Sequence, residues 1–477
     1  MATRLSPLIA LCGLVMAGLL WELGRIHGRL EANPGLYVPR YLVLLGLYFL
    51  GGSLCRRHAA PEGAPPRSRR PLILILGFAV LFRLLAVFQF PSLSTDLFRY
   101  LWDGRASAHG VNPYAYPPSA RQMGRLDPLH SGGARRIAVA PPPAPSRWLY
   151  GERGDPRAIA INHPTWVTMY PPLSQRVFGL LYRLSGNSLW AFKLMLMLAD
   201  LGCIALLLAL LRRARYPLEA VVWYAWHPLP ILEVSATGHQ DVLGVLFALA
   251  AMLLAAGSLK PALGFATGIA SGLSLMAKGY LLPALPVLGR RRPFLFAAGL
   301  VPTVALLAYP YFTPGSQIMV GINQYAGNRL RNAGPYALAD GLYSLLTPDH
   351  FRWARLTMLG LLALTTLLLA WKPARSLPEM VSRSVSAMGF FFLFSHTVYP
   401  WYGVWLVPLF VFQRHPVWLA YTALLPLAYL NPLPGKGAWA PVVEYTVVLG
   451  LLAYTLGTRR WNALLTPDRG GGDSPEK

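Results

Sequence analysis

Residues 71–90 are apolar except for Arg83 and Gln89, and comparable apolar runs recur along the whole chain. A run of about 20 apolar residues crosses the hydrocarbon core of a bilayer as a helix, because in lipid every backbone N–H and C=O must be satisfied inside its own segment. This recurrence closes most other folds. A membrane β-barrel would show short alternating strands set off by turn residues, and none are evident. Composition agrees: 55% of residues are hydrophobic and only 13% charged, against about 25% charged in soluble domains. The expected fold is all-α, a polytopic integral membrane protein of about 12–14 transmembrane helices.

Lys plus Arg number 43 and Asp plus Glu 19, a net charge of +24. In a soluble chain that excess points to nucleic acid. Here the basic residues sit in short gaps between apolar runs: Arg56, Arg57, Arg67, Arg69 and Arg70, then Arg212, Arg213 and Arg215, then Arg290, Arg291 and Arg292, then Lys372 and Arg375, and last Arg459 and Arg460. The positive-inside rule places such gaps in the cytoplasm and accounts for the charge without a nucleic-acid partner. Both termini are then cytoplasmic and the span number even, in the plasma (inner) membrane. Residues 1–21 read as an uncleaved first span rather than a signal peptide, since no small-x-small cleavage site follows. Cys12, Cys55 and Cys203 lie in apolar segments and read as small core residues.

The chain divides into N-terminal spans with a basic cytoplasmic loop (1–70), a core (71–312) carrying an outer loop at 91–188, a second outer loop (313–352), C-terminal spans (353–460) and a disordered cytoplasmic tail (461–477). Loops beyond about 12–15 residues are usually functional or disordered. The 91–188 loop is expected to bear helices along the membrane surface, one near 173–184, around an irregular Pro- and Ala-rich middle at 138–146. No internal repeat, P-loop or zinc pattern is visible.

Chemistry concentrates at the end of the 71–90 run, in Ser94-Thr95-Asp96-Leu97-Phe98-Arg99-Tyr100-Leu101-Trp102-Asp103-Gly104-Arg105. On a helix Asp96, Arg99 and Asp103 share one face. Ionisable groups at a membrane boundary are expensive to place, which favours a functional site. Asp96 and Asp103 then divide the roles of general base and of orienting substrate or metal; the alternative is a helix-end ion-pair set with Arg99 and Arg105. Asn112 and Tyr114 in Gly110-Val111-Asn112-Pro113-Tyr114, and Tyr170 in Tyr170-Pro171-Pro172, sit on stiff proline backbone. They make rigid aromatic walls for a sugar or anchors at the headgroup level. In Gly238-His239-Gln240-Asp241, His239 and Asp241 either join the site or form a polar turn with Asp241 at a helix start. Lys278 meets a phosphate or snorkels. His396, Trp401 and Tyr402 bind substrate or belong to an interfacial girdle.

The stretch from Thr95 to Arg105, then Gly110-x-Asn112-Pro113-Tyr114, then Tyr170-Pro171-Pro172, resembles the first outer loop of GT-C glycosyltransferases. The likeness is greatest to bacterial polyprenol-phosphate-mannose-dependent mannosyltransferases, and the chain is similar also to the catalytic subunit of the first GPI mannosyltransferase. Tyr399-Pro400-Trp401-Tyr402 resembles the family's His-Pro-Trp-Tyr element, with Tyr399 at the histidine position and His396 three residues earlier. The GPI enzyme's Asp-x-Asp keeps only its first acid, Asp96, with Phe98 at the second. The resemblance implies an inverting membrane glycosyltransferase. It would move a hexose, mannose first, from a polyprenyl-phosphate donor to a lipid or glycan acceptor on the periplasmic or extracellular side. Asp96 would be the base. Arg99, Arg105, Lys278, Arg329 and Arg331 would hold the donor phosphate. No cofactor is required, and a divalent metal stays open as a helper. The other class is a transporter or flippase of a lipid-linked sugar. Its charges would lie near the midplane and its halves would repeat, whereas here the charges gather in outer loops.

Overall fold

The computed structural model describes residues 5–26, 30, 33–58, 70–118, 161, 163, 165–257, 260–325, 330–430 and 439–458. The Pro- and Ala-rich stretch at 138–146, the 461–477 tail and Arg329 lie outside them. Among the described residues every extended element is helical, and the one β-type pairing is a parallel bridge between Arg331 and Thr397. The helices are α1 (Leu5–Arg25), α2 (Pro34–His58), α3 (Arg70–Val87), α4 (Asp96–Ala108), α5 (Pro172–Ser185), α6 (Leu189–Ala214), α7 (Val222–Ala225), α8 (Asp241–Ala255) and α9 (Pro261–Ala277). They continue as α10 (Leu285–Gly289), α11 (Pro293–Ala308), α12 (Ile318–Tyr325), α13 (Pro335–Ser344), α14 (His350–Ala370), α15 (Leu377–Leu393), α16 (Pro416–Leu424) and α17 (Trp439–Gly457).

Seven of these are long and apolar enough to cross a membrane: α1, α2, α3, α6, α11 extended to Tyr311, α14 and α17. Five shorter apolar helices accompany them, among them Asp241–Ala255, Pro261–Ala277 and Pro400–Val411. The shortfall against the expected span count has a local cause. Proline cannot donate to a helix ladder. Pro283 falls inside a tight 3-10 turn at Gly279–Ala284, and Pro400 and Pro408 open two more at Pro400–Trp405 and Val407–Val411. Several apolar runs therefore fold as broken turns instead of continuous helices. Outward faces remain apolar: on α11, Phe294 is 88% and Leu306 72% exposed.

Where helices meet, small residues let backbones touch. Gly264, Gly268 and Gly272 recur every fourth residue on α9. A Cβ at Gly268 would lie 2.1 Å from the Phe296 carbonyl oxygen of α11, and one at Gly299 2.1 Å from that of Phe265. Close backbone approach of this kind drives helix association where lipid is as apolar as the side chains. The same device joins α4 to α5, since a Cβ at Gly104 would stand 2.6 Å from the Phe178 carbonyl oxygen. Deep in the molecule, Arg83 of α3 pairs with Asp200 of α6 at 2.8 Å, both fully buried. Tyr224 donates to the other Asp200 oxygen at 2.5 Å and Arg83 to the Ala225 carbonyl at 2.8 Å.

Candidate functional site

α4 begins where the chain leaves α3, and Asp96 stands in its first turn. A carboxylate there is favoured by the unsatisfied N–H groups of the helix start. The Ser94 hydroxyl accepts from the Asp96 N–H at 3.2 Å and helps set that turn. Beneath it opens a cavity of about 470 Å³, within the size range of ligand sites. Asp96, Arg99, Tyr170, Lys278, Arg331, Trp401 and Tyr402 all line it, with Tyr280, Tyr399 and Tyr429. One carboxylate, three cations and a wall of aromatic rings thus converge from six separate stretches of chain.

Each group is held. The Tyr170 hydroxyl donates to Asp96 Oδ2 at 3.3 Å. Burial, and then the nearby Asp96 carboxylate, keep this phenol well above its usual pKa, so it stays a donor. Lys278 Nζ lies 3.2 Å from Asp241 Oδ2 and 5.4 Å from the ring centroids of both Tyr170 and Tyr280. Asp241 Oδ1 accepts from Trp405 Nε1 at 3.1 Å. Gly244, one turn along α8, leaves room for that indole, since a Cβ would come 2.4 Å from it. Arg331 spreads over the Tyr399 ring at 5.0 Å. Its backbone is pinned by the bridge to Thr397 and by Asn332, whose carbonyl accepts from Tyr445 at 2.7 Å and whose side chain donates to Glu444 at 3.1 Å.

Other expected residues lie elsewhere. Asp103 is 1% exposed and does not line the cavity. Its Oδ1 accepts from Arg99 Nε at 2.9 Å, and its Oδ2 from Thr168 at 2.6 Å and Gln175 at 3.1 Å. It is the buried anchor that aims Arg99, as in the ion-pair alternative. Arg105 is half-buried in the last turn of α4, away from the cavity. Asn112 is a clamp: its side chain donates to the Tyr311 carbonyl at 3.1 Å and to Thr313 at 2.9 Å, and accepts from the Tyr114 N–H at 2.9 Å. Tyr114 is buried and donates to the Tyr170 carbonyl at 2.5 Å, so it supports the site from behind. His396 does not take the place that the sequence leaves open at Tyr399. Its Nδ1 is 2.8 Å from Thr397 Oγ1, and its ring packs on Tyr336 and Phe351 outside the cavity.

His239 is 1% exposed and stands behind the cavity wall, stacked on Trp401 at 4.0 Å. Burial pushes its imidazole down to about 4, so the ring is neutral near pH 7. Gly238, at φ +89°, makes the turn that delivers it, a conformation glycine adopts without strain. Behind His239 lies Glu233, fully buried, accepting from the Tyr429 hydroxyl at 3.0 Å. Sequence reasoning passed over Glu233, although an acid inside an apolar run is itself a signal. Tyr280 and Tyr429 carried no such signal, since tyrosine is common at membrane boundaries, whereas Tyr399 was marked only by its place in the Tyr399-Pro400-Trp401-Tyr402 element. Among the described residues no group of three His, Cys, Asp or Glu side chains could hold a metal ion. No family model matches the chain, and searches of curated proteins and of solved structures find no match.

Proposed function

We propose that this chain is a polytopic membrane glycosyltransferase of the inverting type, taking a hexose, mannose first, from a polyprenyl-phosphate donor. The observation that carries the reading is the shared cavity: Asp96 faces it together with Arg99, Lys278 and Arg331, against aromatic walls. A carboxylate beside a hydroxyl acceptor is a general base. As the acceptor oxygen attacks the anomeric carbon, its proton passes to Asp96 and the bond from that carbon to the phosphate oxygen breaks, with inversion. The phosphate leaves as an anion, so no general acid is needed. Negative charge grows on it, and preorganised cations stabilise that charge in a site sheltered from water. Lys278 is held for this by Asp241, and Arg99 by Asp103. Tyr170 and Tyr402 offer ring surface to the sugar, and Trp401, stacked between His239 and Tyr399, braces that wall. The apolar helix surfaces suit the polyprenyl chain, and the basic gaps between runs favour a site on the side away from the cytoplasm.

The test is transfer from radiolabelled mannosyl-phosphoryl-polyprenol by the purified protein in lipid. Wild type should release polyprenyl phosphate and label an acceptor fraction. Asp96→Asn should fold normally and lose transfer by about 100-fold or more. A fully active Asp96→Asn would remove Asp96 from the role of base. Movement of intact donor across the bilayer without release of polyprenyl phosphate would replace the transferase reading with transport.

A further inference from the structure

His239 stands between two carboxyl groups. Its Nδ1 is 3.8 Å from Asp96 Oδ2 and its Nε2 is 3.6 Å from Glu233 Oε2. Among the described residues neither ring nitrogen has a hydrogen-bond partner. The ring cannot swing away, because it lies flat on Trp401 at 4.0 Å and 17°, and Trp401 lies flat on Tyr399 at 4.4 Å and 11°. Polar atoms held this firmly with nothing bonded to them are costly unless they serve a task.

The protonation pattern follows from burial. Glu233 has no exposed surface, and among the described residues no Lys or Arg forms an ion pair with it; its contacts are Tyr429 and His239. A carboxylate so placed is strongly disfavoured, and the neutral acid is the natural form. The Tyr429 hydroxyl already donates to this carboxyl at 3.0–3.1 Å, and the acid's own O–H turns to its other neighbour, Nε2 of His239 at 3.6 Å. The imidazole is itself neutral, since burial opposes its charge. With Nε2 accepting, the ring's single proton sits on Nδ1 and points at Asp96.

We propose that Glu233, as a neutral acid, fixes His239 in its Nδ1–H form, and that His239 is the positioning residue that orients Asp96 and favours it as a carboxylate. The inference rests on Asp96 being the base of the reaction proposed above. Other groups bear on this pair from the neighbouring elements: Tyr37 and Tyr41 on α2 beside Glu233, Arg99 and Tyr100 on α4, Tyr170 before α5, Asp241 on α8, Lys278 after α9, and Tyr429 behind Glu233. None is altered in the variants below, so their influence is common to all.

The experiment measures kcat and KM against pH for the full-length protein in lipid with mannosyl-phosphoryl-polyprenol. His239→Phe keeps the ring stack and removes the donor. Its kcat should fall about 10–100-fold, the worth of a hydrogen bond to a charged group, with little change in donor KM. The acid limb of its kcat profile should move up by about one pH unit. His239→Asn, which offers an N–H near the Nδ1 position, should recover most of both losses. Glu233→Leu should shift the acid limb in the same direction, and Glu233→Gln, whose amide still donates to Nε2, should reverse that shift. An unmoved acid limb in His239→Phe overturns the role of His239. Glu233→Gln as impaired as Glu233→Leu overturns the neutral-acid assignment. If wild type does not turn over this donor, the reaction reading fails separately. The positioning claim is then judged by 13C NMR titration of the Asp96 carboxyl carbon, assigned with Asp96→Asn. A higher titration midpoint in His239→Phe than in wild type supports it, and an equal one overturns it.

Discussion

Asp96 and Asp103 carry the same side chain on the same helix, yet only Asp96 reaches the cavity. Asp103 spends both oxygens on Arg99, Thr168 and Gln175. Its removal should therefore act through Arg99. Asp103→Asn is expected to lower kcat more than it raises donor KM, as read by steady-state kinetics in lipid; a rise in donor KM alone would make Arg99 a ground-state binder of the donor instead. Lys278 differs, because its amine lines the cavity and its partner Asp241 is fully buried. Lys278→Met alone strands that carboxylate. Paired with Asp241→Asn it should fold and still lose about 100–1,000-fold in kcat, the worth of one preorganised donor to a developing anion.

At the scale of elements, Gly104 decides how near α4 and α5 can approach. Its place between Asp103 and Arg105 is explained by the Phe178 carbonyl oxygen, 2.6 Å from where a Cβ would be. Gly104→Val should push the helices apart, destabilising by about 1–3 kcal/mol and displacing Asp96 from Tyr170. Thermal unfolding in detergent together with transfer activity reads both effects. The contrasting site is Gly18 on α1, where a Cβ meets nothing among the described residues within 4 Å; Gly18→Ala should leave activity unchanged and raise stability by no more than about 1 kcal/mol. The α9–α11 seam went unread in the sequence, although glycines at every fourth position announce close packing. The interruptions at Pro283, Pro400 and Pro408 were visible as prolines but not as 3-10 turns, because proline in an apolar run marks a kink, a turn or an end without saying which.

For the molecule as a whole, two buried features make its stability testable. The Arg83–Asp200 pair joins α3 to α6 with no exposed surface. Breaking it from one side should cost about 3–5 kcal/mol, because the remaining charge is uncompensated. Asp200→Ala is accordingly expected to lower the unfolding midpoint sharply, with Asp200→Leu and Arg83→Met together recovering much of it. Acid sensitivity is the second. His239 titrates at about 4 when folded against 6.5 for the free side chain. Between those values the unfolded chain binds more protons, so stability falls as the medium is acidified. The contribution of neutral His239 is fully present above about pH 6.5 and is lost as pH drops towards 4. The wild-type midpoint should fall over that window, and His239→Phe should fall less.

Much was legible in the chain alone. Apolar runs of spanning length establish an all-helical architecture, because backbone polar groups in an apolar medium have only local partners. The carboxylate at Asp96 and the rings at Tyr170, Trp401 and Tyr402 stood out because charge and proline-stiffened aromatics are conspicuous beside such runs. What the tertiary structure decided is which of them meet. Lys278 and Arg331 come to Asp96 from distant stretches, while Arg105, Asn112, Tyr114 and His396 stay in supporting or outlying positions. Glu233 meets His239 within its own turn, but its partner Tyr429 arrives only when residues 230–236 fold against 425–430. Composition and periodicity report what a residue is and which face it shares with near neighbours. Contacts between distant segments depend on how glycines and prolines turn the chain, and only the folded molecule carries that information.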